Sequence, residues 1–194
     1  MTCRSLVVAV VALSLTVVAG TGFAEPGSRS GLQEMGVMSG YGWSDRDNVQ
    51  FAPLFVHFGW YLPDAIDEPL SRCNLNLKWV VEPWVAGITN HQNAIEIGVS
   101  PLLIKLDYDR GQTVVPFFFG GEGVLYTGLQ GIQIGGPFEF SSFAGGGLHF
   151  FLTEHLSLSL SYRFRHISNA RIKEPNRGLN TQFILLGLEE FPNR

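Results

Sequence analysis

The sequence predicts an all-β fold, an eight-stranded antiparallel β-barrel of the outer-membrane type. Apolar and polar residues alternate with a period of two through about eight segments of membrane-crossing length. After the first 24 residues, no segment approaches the roughly 20 uninterrupted apolar residues that a membrane-spanning helix requires. The chain also contains 23 glycines and 12% aromatic residues, which suits closely packed strands with aromatic residues at a membrane interface.

The composition excludes two other classes of protein. Only 15% of the 194 residues are charged, 45% are hydrophobic, and the net charge is −4, so a disordered chain or a nucleic-acid-binding protein is not expected. Residues 1–24 have the form of a secretory signal peptide: Arg4 is the only charge, an apolar run follows, and the small residues Gly22 and Ala24 bracket Phe23 in a cleavage site that ends at Ala24. We therefore predict a signal peptide over 1–24 and one barrel domain over 25–194.

The predicted strands fall near residues 32–42, 49–62, 75–87, 94–108, 113–127, 137–151, 156–166 and 180–189. The seventh alternates most clearly, with an even-numbered apolar face (Leu156, Leu158, Leu160, Tyr162, Phe164) and an odd-numbered polar face (Ser157, Ser159, Ser161, Arg163, Arg165). The same alternation is expected in a soluble periplasmic lipid-binding barrel, whose apolar face would point inward. The even strand number, the strand length and seven aromatic residues favour the membrane barrel (Trp43, Trp60, Tyr61, Trp79, Trp84, Tyr126, Tyr162).

Polar residues on the alternating strands predict what fills the barrel. His57, Lys78, Glu82 and Glu96 lie on faces that point into the lumen, where charged groups require partners, so we interpret them as structural ion pairs. If the mature chain begins in the periplasm, the connections after strands one, three, five and seven lie outside the cell. The segment 166–180 is then an external loop, whereas the connection 63–74 is long for a periplasmic turn.

The most reactive combination of side chains lies at the end of the seventh strand. His166 and Ser168 are two residues apart, which on a strand places them on one face about 6.6 Å apart along the chain. A serine hydroxyl becomes a nucleophile when an adjacent base takes its proton and a third group orients that base. Both residues continue the even-numbered series, so they should face lipid, and Asn180 on the eighth strand is the predicted third group.

The run HISNARIKEPNRGLN, residues 166–180, resembles the signature of the lipid A 3-O-deacylase family (PagL-like, also called acyloxyacyl hydrolases). The resemblance implies an outer-membrane esterase that removes the 3-O-linked acyl chain of lipid A. Ser/His chemistry requires no cofactor, and no metal site is predicted, because His91 has no second ligand at a useful spacing. The resemblance implies that Ser168 is the nucleophile and His166 the general base. It also implies that Asn169, the backbone at Ala170, and Asn176 stabilise the oxyanion or shape the loop.

The sequence departs from the family pattern at one position. Asn180 stands where the best-known form of the family has Glu, so it offers imidazole a hydrogen-bond acceptor but no negative charge. Glu174 is the only carboxylate in the loop and is the alternative acid. A catalytically silent barrel with a structural or lipid-binding role is therefore the second hypothesis.

The expected partners are the membrane and lipopolysaccharide in its outer leaflet, not nucleic acid. Five basic residues near the end of the seventh strand are predicted to contact lipopolysaccharide phosphates (Arg163, Arg165, Arg171, Lys173, Arg177).

Overall fold

A computed structural model describes residues 31–192 and residue 194, so the predicted signal peptide lies outside the described residues. Strands pair antiparallel with their sequence neighbours, and β1 pairs with β8 to close an eight-stranded barrel. The strands are β1 (Glu34–Ser44), β2 (Gln50–Tyr61), β3 (Leu75–Thr89), β4 (Ala94–Tyr108), β5 (Val114–Thr127), β6 (Phe138–Phe151), β7 (Leu156–Ser168) and β8 (Leu179–Glu190). The upper end of the barrel is defined here as the end that carries the β1–β2, β3–β4, β5–β6 and β7–β8 connections.

The exposure of alternate residues on β7 distinguishes the two barrel types. Leu158 and Tyr162 are 47% and 44% exposed, whereas Arg163 and Arg165 are each 2% exposed. Apolar side chains thus cover the outside and polar side chains fill the inside, the reverse of a water-soluble barrel. The predicted outer-membrane type of fold is confirmed.

Ion pairs fill the lumen. Arg163 makes two bonds to Glu82, of 2.5 and 2.9 Å, and Arg165 pairs with Glu96. A second network at the lower end joins charged residues from five strands (Glu34, His57, Lys78, Lys105, Asp107, Glu189). The predicted lumenal positions of His57, Lys78, Glu82 and Glu96 are therefore confirmed.

The interior location of Arg163 and Arg165 also corrects a prediction. Both guanidinium groups are buried against lumenal carboxylates and therefore do not reach lipopolysaccharide phosphates. Only the loop residues Arg171, Lys173 and Arg177 of the predicted basic cluster are exposed.

An apolar plug closes the upper end of the lumen. Leu129, Ile132 and Ile134 from the β5–β6 connection are buried in one cluster with side chains from the upper ends of the strands. Ile167 and Leu179, which form the uppermost pair between β7 and β8, belong to this cluster. The plug therefore supports the backbone that carries His166 and Ser168.

Of the seven aromatic residues predicted at the membrane interface, five lie on the outer surface, whereas Tyr61 and Trp84 face inward. Tyr126 and Tyr162 are 58% and 44% exposed, and the Trp60 and Trp79 rings pack with centroids 5.6 Å apart and planes tilted by 36°. Trp84, predicted at the membrane interface, is instead 5% exposed and donates a 3.1 Å hydrogen bond to Glu96 Oε1. Its position on β3 has the same parity as Glu82, which places it inside.

The long lower connection contains the short helix α1 (Asp64–Ser71). Leu70 of α1 is buried, and Asp67 accepts a 3.4 Å hydrogen bond from the Leu77 backbone N–H at the start of β3. The length of this connection, unexpected for a turn, is thus explained by a packed helix. Within residues 31–192, no helix is both long and apolar enough to cross a membrane.

Replacing Arg163 with Met should strongly destabilise the barrel. The substitution leaves Glu82 buried without its bidentate partner, which should cost about 3 kcal/mol in free energy of unfolding. Urea unfolding of the barrel in lipid vesicles, followed by tryptophan fluorescence, measures this loss. Arg110→Met, at an exposed site in the β4–β5 connection, is the matched control and should change stability by under about 0.5 kcal/mol.

Candidate active site

Strand β7 continues beyond its predicted end and carries both predicted reactive residues. It ends at Ser168 rather than 166, because β6 pairs with it as far as Phe140 opposite Ser168. Ile167 is fully buried, while His166 and Ser168 on either side of it are half-buried on the outer face. The alternation thus places the histidine and the serine together on the surface that faces lipid.

Asn180 on β8 lies directly beside His166. The two residues are register partners, and His166 Nδ1 is 2.7 Å from Asn180 Oδ1. An amide oxygen only accepts hydrogen bonds, so His166 Nδ1 must carry the ring proton. The other ring nitrogen, Nε2, is then free to act as a base.

Gly178 determines where the imidazole ring lies. A Cβ at position 178 would be 2.6 Å from His166 Cε1 and 3.0 Å from Nε2. Because Leu179 pairs with Ile167, Gly178 lies one residue beyond that pair, at the Ser168 end of the strand. The Cε1–Nε2 edge of the ring is therefore directed toward the end of β7 that carries Ser168. Among residues 31–192, no hydrogen bond joins Ser168 to His166, and such bonds are often long before substrate binds.

The structure adds a residue that the sequence analysis missed. Asn180 Nδ2 donates a 2.7 Å hydrogen bond to Asp45 Oδ2, and the Asp45 backbone N–H donates a 3.0 Å bond to the Asn180 carbonyl. Asp45 begins the β1–β2 connection, and closure of the barrel through β1 and β8 brings it to the site. The one sequence signal that points to it is the expected adjacency of the first and last strands.

The predicted oxyanion residues lie in the β7–β8 connection. Asn169 is 3% exposed, and its Nδ2 donates to the carbonyls of Lys173 and Ile134, at 2.8 and 3.2 Å. Both side-chain protons of Asn169 are thus used to hold the loop. The Asn176 side chain accepts from the Asn169 backbone N–H at 3.4 Å. Among the hydrogen bonds of the described residues, none uses the Ala170 N–H or Asn176 Nδ2 as donor.

The alternative acid lies elsewhere in the loop. Glu174 is exposed, and its Oε2 accepts a 2.9 Å hydrogen bond from the Asn176 backbone N–H. The group bonded to the imidazole is Asn180 rather than Glu174. Glu174 therefore shapes the loop around Asn176.

An apolar groove of about 580 Å³ on the outer surface reaches His166. Its lining comes from five neighbouring strands, β3 to β7, and includes Leu102, Ile104, Phe118, Gly121 and Phe164. A groove of this chemistry fits a hydrocarbon chain, and its contact with His166 places such a chain next to the base.

Replacing Gly178 with Ala should inactivate the site without unfolding the barrel. The residue has φ of 61°, and the added methyl group would occupy the position of the His166 ring. Displacing the ring by an ångström should lower hydrolytic activity by about 10²-fold.

Gly111→Ala is the matched control, because Gly111 has φ of 76° and no atom within 4 Å of its added Cβ. Both variants carry similar backbone strain, so their unfolding in urea should change alike. Equal activity in the two variants would contradict this account of the ring position.

The chain matches the family model of lipid A 3-O-deacylase (PagL) over residues 35–189. Its fold is similar to a crystal structure of the outer membrane enzyme PagL, at 17% identity and a TM-score of 0.61, covering 79% of this chain and 97% of that one. It is also similar to Neisserial surface protein A, at 10% identity and a TM-score of 0.52, covering 82% and 96%. No curated protein sequence matches the chain significantly.

Proposed function

Because the chain belongs to the lipid A 3-O-deacylase (PagL) family and is an outer-membrane barrel, we propose that it is an esterase that hydrolyses the 3-O-linked acyl chain of lipid A. One observation carries the proposal: His166, held by Asn180 at 2.7 Å, lies with Ser168 on the face of the barrel that contacts lipid. A base and a hydroxyl on that face meet an amphiphilic ester in the membrane rather than a soluble substrate.

The reaction follows from the orientation of the imidazole. His166 Nε2 takes the proton of Ser168 as Oγ bonds to the ester carbonyl carbon. The bond from that carbon to the sugar oxygen then breaks, and the imidazolium gives the proton to the departing oxygen, which leaves as the sugar hydroxyl. Water, deprotonated by the same nitrogen, hydrolyses the acyl-serine and releases the fatty acid.

Two donors in the β7–β8 connection are available for the oxyanion that forms during each step. The Ala170 N–H follows the nucleophile closely, and Asn176 Nδ2 lies in the same turn, tied to the Asn169 backbone through its oxygen. The Asn169 side chain holds the loop instead, because both of its protons are already donated. Preorganised donors of this kind supply much of the rate enhancement in acyl transfer.

The surroundings of the site suit lipid A. The apolar groove beside His166 accepts an acyl chain, and the exposed loop residues Arg171, Lys173 and Arg177 match phosphate groups at the membrane surface. This arrangement requires the upper end of the barrel to face the outside of the cell, where lipopolysaccharide resides.

Purified protein in mixed micelles with lipid A tests the proposal. We expect release of one 3-hydroxy fatty acid per lipid A, measured by mass spectrometry, with the amide-linked chains retained. Lipid A that already lacks the 3-O-linked chain is the control substrate and should lose nothing. A folded barrel that leaves both lipids unchanged would favour the silent barrel instead.

A further inference from the structure

We propose that Asp45 is a positioning residue that supplies the negative charge missing from Asn180. It forms an array with Asn180 and His166 in which the carboxylate acts through the amide. This inference rests on the proposed esterase function and explains how a site with Asn in place of Glu orients its base. The array has two bonds, each 2.7 Å: His166 Nδ1 to Asn180 Oδ1, and Asn180 Nδ2 to Asp45 Oδ2.

An amide alone does not define the tautomer of a histidine. If Asn180 is rotated by 180° about its terminal bond, its NH₂ group faces His166 and donates to an unprotonated Nδ1. The ring proton then lies on Nε2, which cannot accept the proton of Ser168. An asparagine next to the base therefore permits both an active and an inactive arrangement.

The Asp45 carboxylate removes this ambiguity. An ionised carboxylate only accepts hydrogen bonds, so Asn180 must present its NH₂ group to Asp45 and its oxygen to His166. The proton is thereby held on Nδ1, and Nε2 stays free on the Ser168 side. The carboxylate also polarises the amide, which favours the imidazolium that forms when Ser168 is deprotonated.

One contact of Asp45 and two contacts of the adjacent Arg46 hold this segment in place. Its own N–H donates to the Asn180 carbonyl, and the adjacent Arg46 guanidinium donates to the carbonyls of Gly178 and Ile132. These contacts fix the β1–β2 connection against the β7–β8 connection that contains the site. The carboxylate, although it belongs to an exposed residue, is thus held in one arrangement.

Substitution of Asp45 in two backgrounds tests the proposal by kinetics with lipid A in micelles. In the native background, Asp45→Ala should lower kcat by about 10²-fold with little change in KM, because the wrong tautomer becomes populated. In an Asn180→Glu background the introduced carboxylate accepts from Nδ1 directly, so Asp45→Ala should leave kcat unchanged or raise it by removing a like charge. Glu68→Gln is the control, since Glu68 is an exposed carboxylate of α1 at the other end of the barrel that bonds Arg72, and its loss should leave kcat unchanged.

The tautomer of His166 provides a second measurement that does not depend on turnover. In ¹⁵N spectra of the protein in micelles, assigned with a His166→Gln variant, wild type should show the proton on Nδ1, and Asp45→Ala should move part of it to Nε2. Equal loss of kcat in both backgrounds, a change in KM alone, or the same tautomer with and without Asp45 would overturn the proposal. An inactive wild type would refute the esterase function, while the spectra would still decide whether Asp45 orients His166.

Discussion

Ser168→Ala should abolish deacylation of lipid A, lowering the rate by about 10³-fold or more. Ser168 is the only hydroxyl that shares the outer face of β7 with His166 at a spacing of two residues. Without its oxygen no acyl-enzyme forms, and the oxyanion donors alone give little rate enhancement. Kinetics with purified protein and lipid A in micelles measure the loss.

The control for this variant is Ser39→Ala on the outer face of β1, which should retain full activity. Both variants should keep the heat-modifiable electrophoretic mobility of a folded barrel, since neither removes a buried group. Turnover at the wild-type rate by Ser168→Ala would reject this residue as the nucleophile.

His166→Gln should cause a loss of similar size, about 10³-fold or more. Glutamine keeps a polar side chain beside Asn180 but cannot take a proton from Ser168. Because base and nucleophile act as one unit, the double variant with Ser168→Ala should be no less active than either single variant. Additive losses would indicate that the two residues act separately.

A second histidine near the same end of the barrel provides the matched control. His91 is exposed in the β3–β4 connection, where its Nε2 lies 3.3 Å from the Gln130 carbonyl oxygen. His91→Gln removes an imidazole without touching β7 or β8 and should leave activity unchanged. A comparable loss in this variant would show that His166 has no special role.

The alternation of residues predicted most of the fold because lipid outside and ion pairs inside impose opposite requirements on successive positions. The same alternation places Trp84, Arg163 and Arg165 inside the barrel. The predictions that Trp84 lies at the membrane interface and that the two arginines contact lipopolysaccharide were wrong, because they relied on residue type rather than on position along the strand. The inward positions of strand β4 are harder to predict from the sequence. Its even-numbered Glu96 points inward, but irregular pairing between Val99 and Leu102 makes odd-numbered residues such as Lys105 point inward further along the strand. A single inserted residue of this kind leaves no clear mark in a period-two pattern.

The candidate site also contains residues that the sequence predicts and residues that it does not. His166 and Ser168 are close in sequence, and Asn180 is on the next strand, so strand geometry alone brings them together. Asp45 is 135 residues from Asn180 and depends on both barrel closure and the conformation of the β1–β2 connection. The donation from Asn169 to the Ile134 carbonyl is also invisible in sequence, because it requires the β5–β6 connection to fold over the barrel.

Mass spectrometry of lipid A from cells that produce this chain, beside cells that produce the Ser168→Ala variant, tests the central claim most directly. The account predicts that lipid A loses one 3-hydroxyacyl group only with the intact sequence. Unchanged lipid A in both cultures, with both barrels folded in the outer membrane, would contradict it and leave the silent barrel as the better description. Equal loss in both cultures would place the activity outside Ser168.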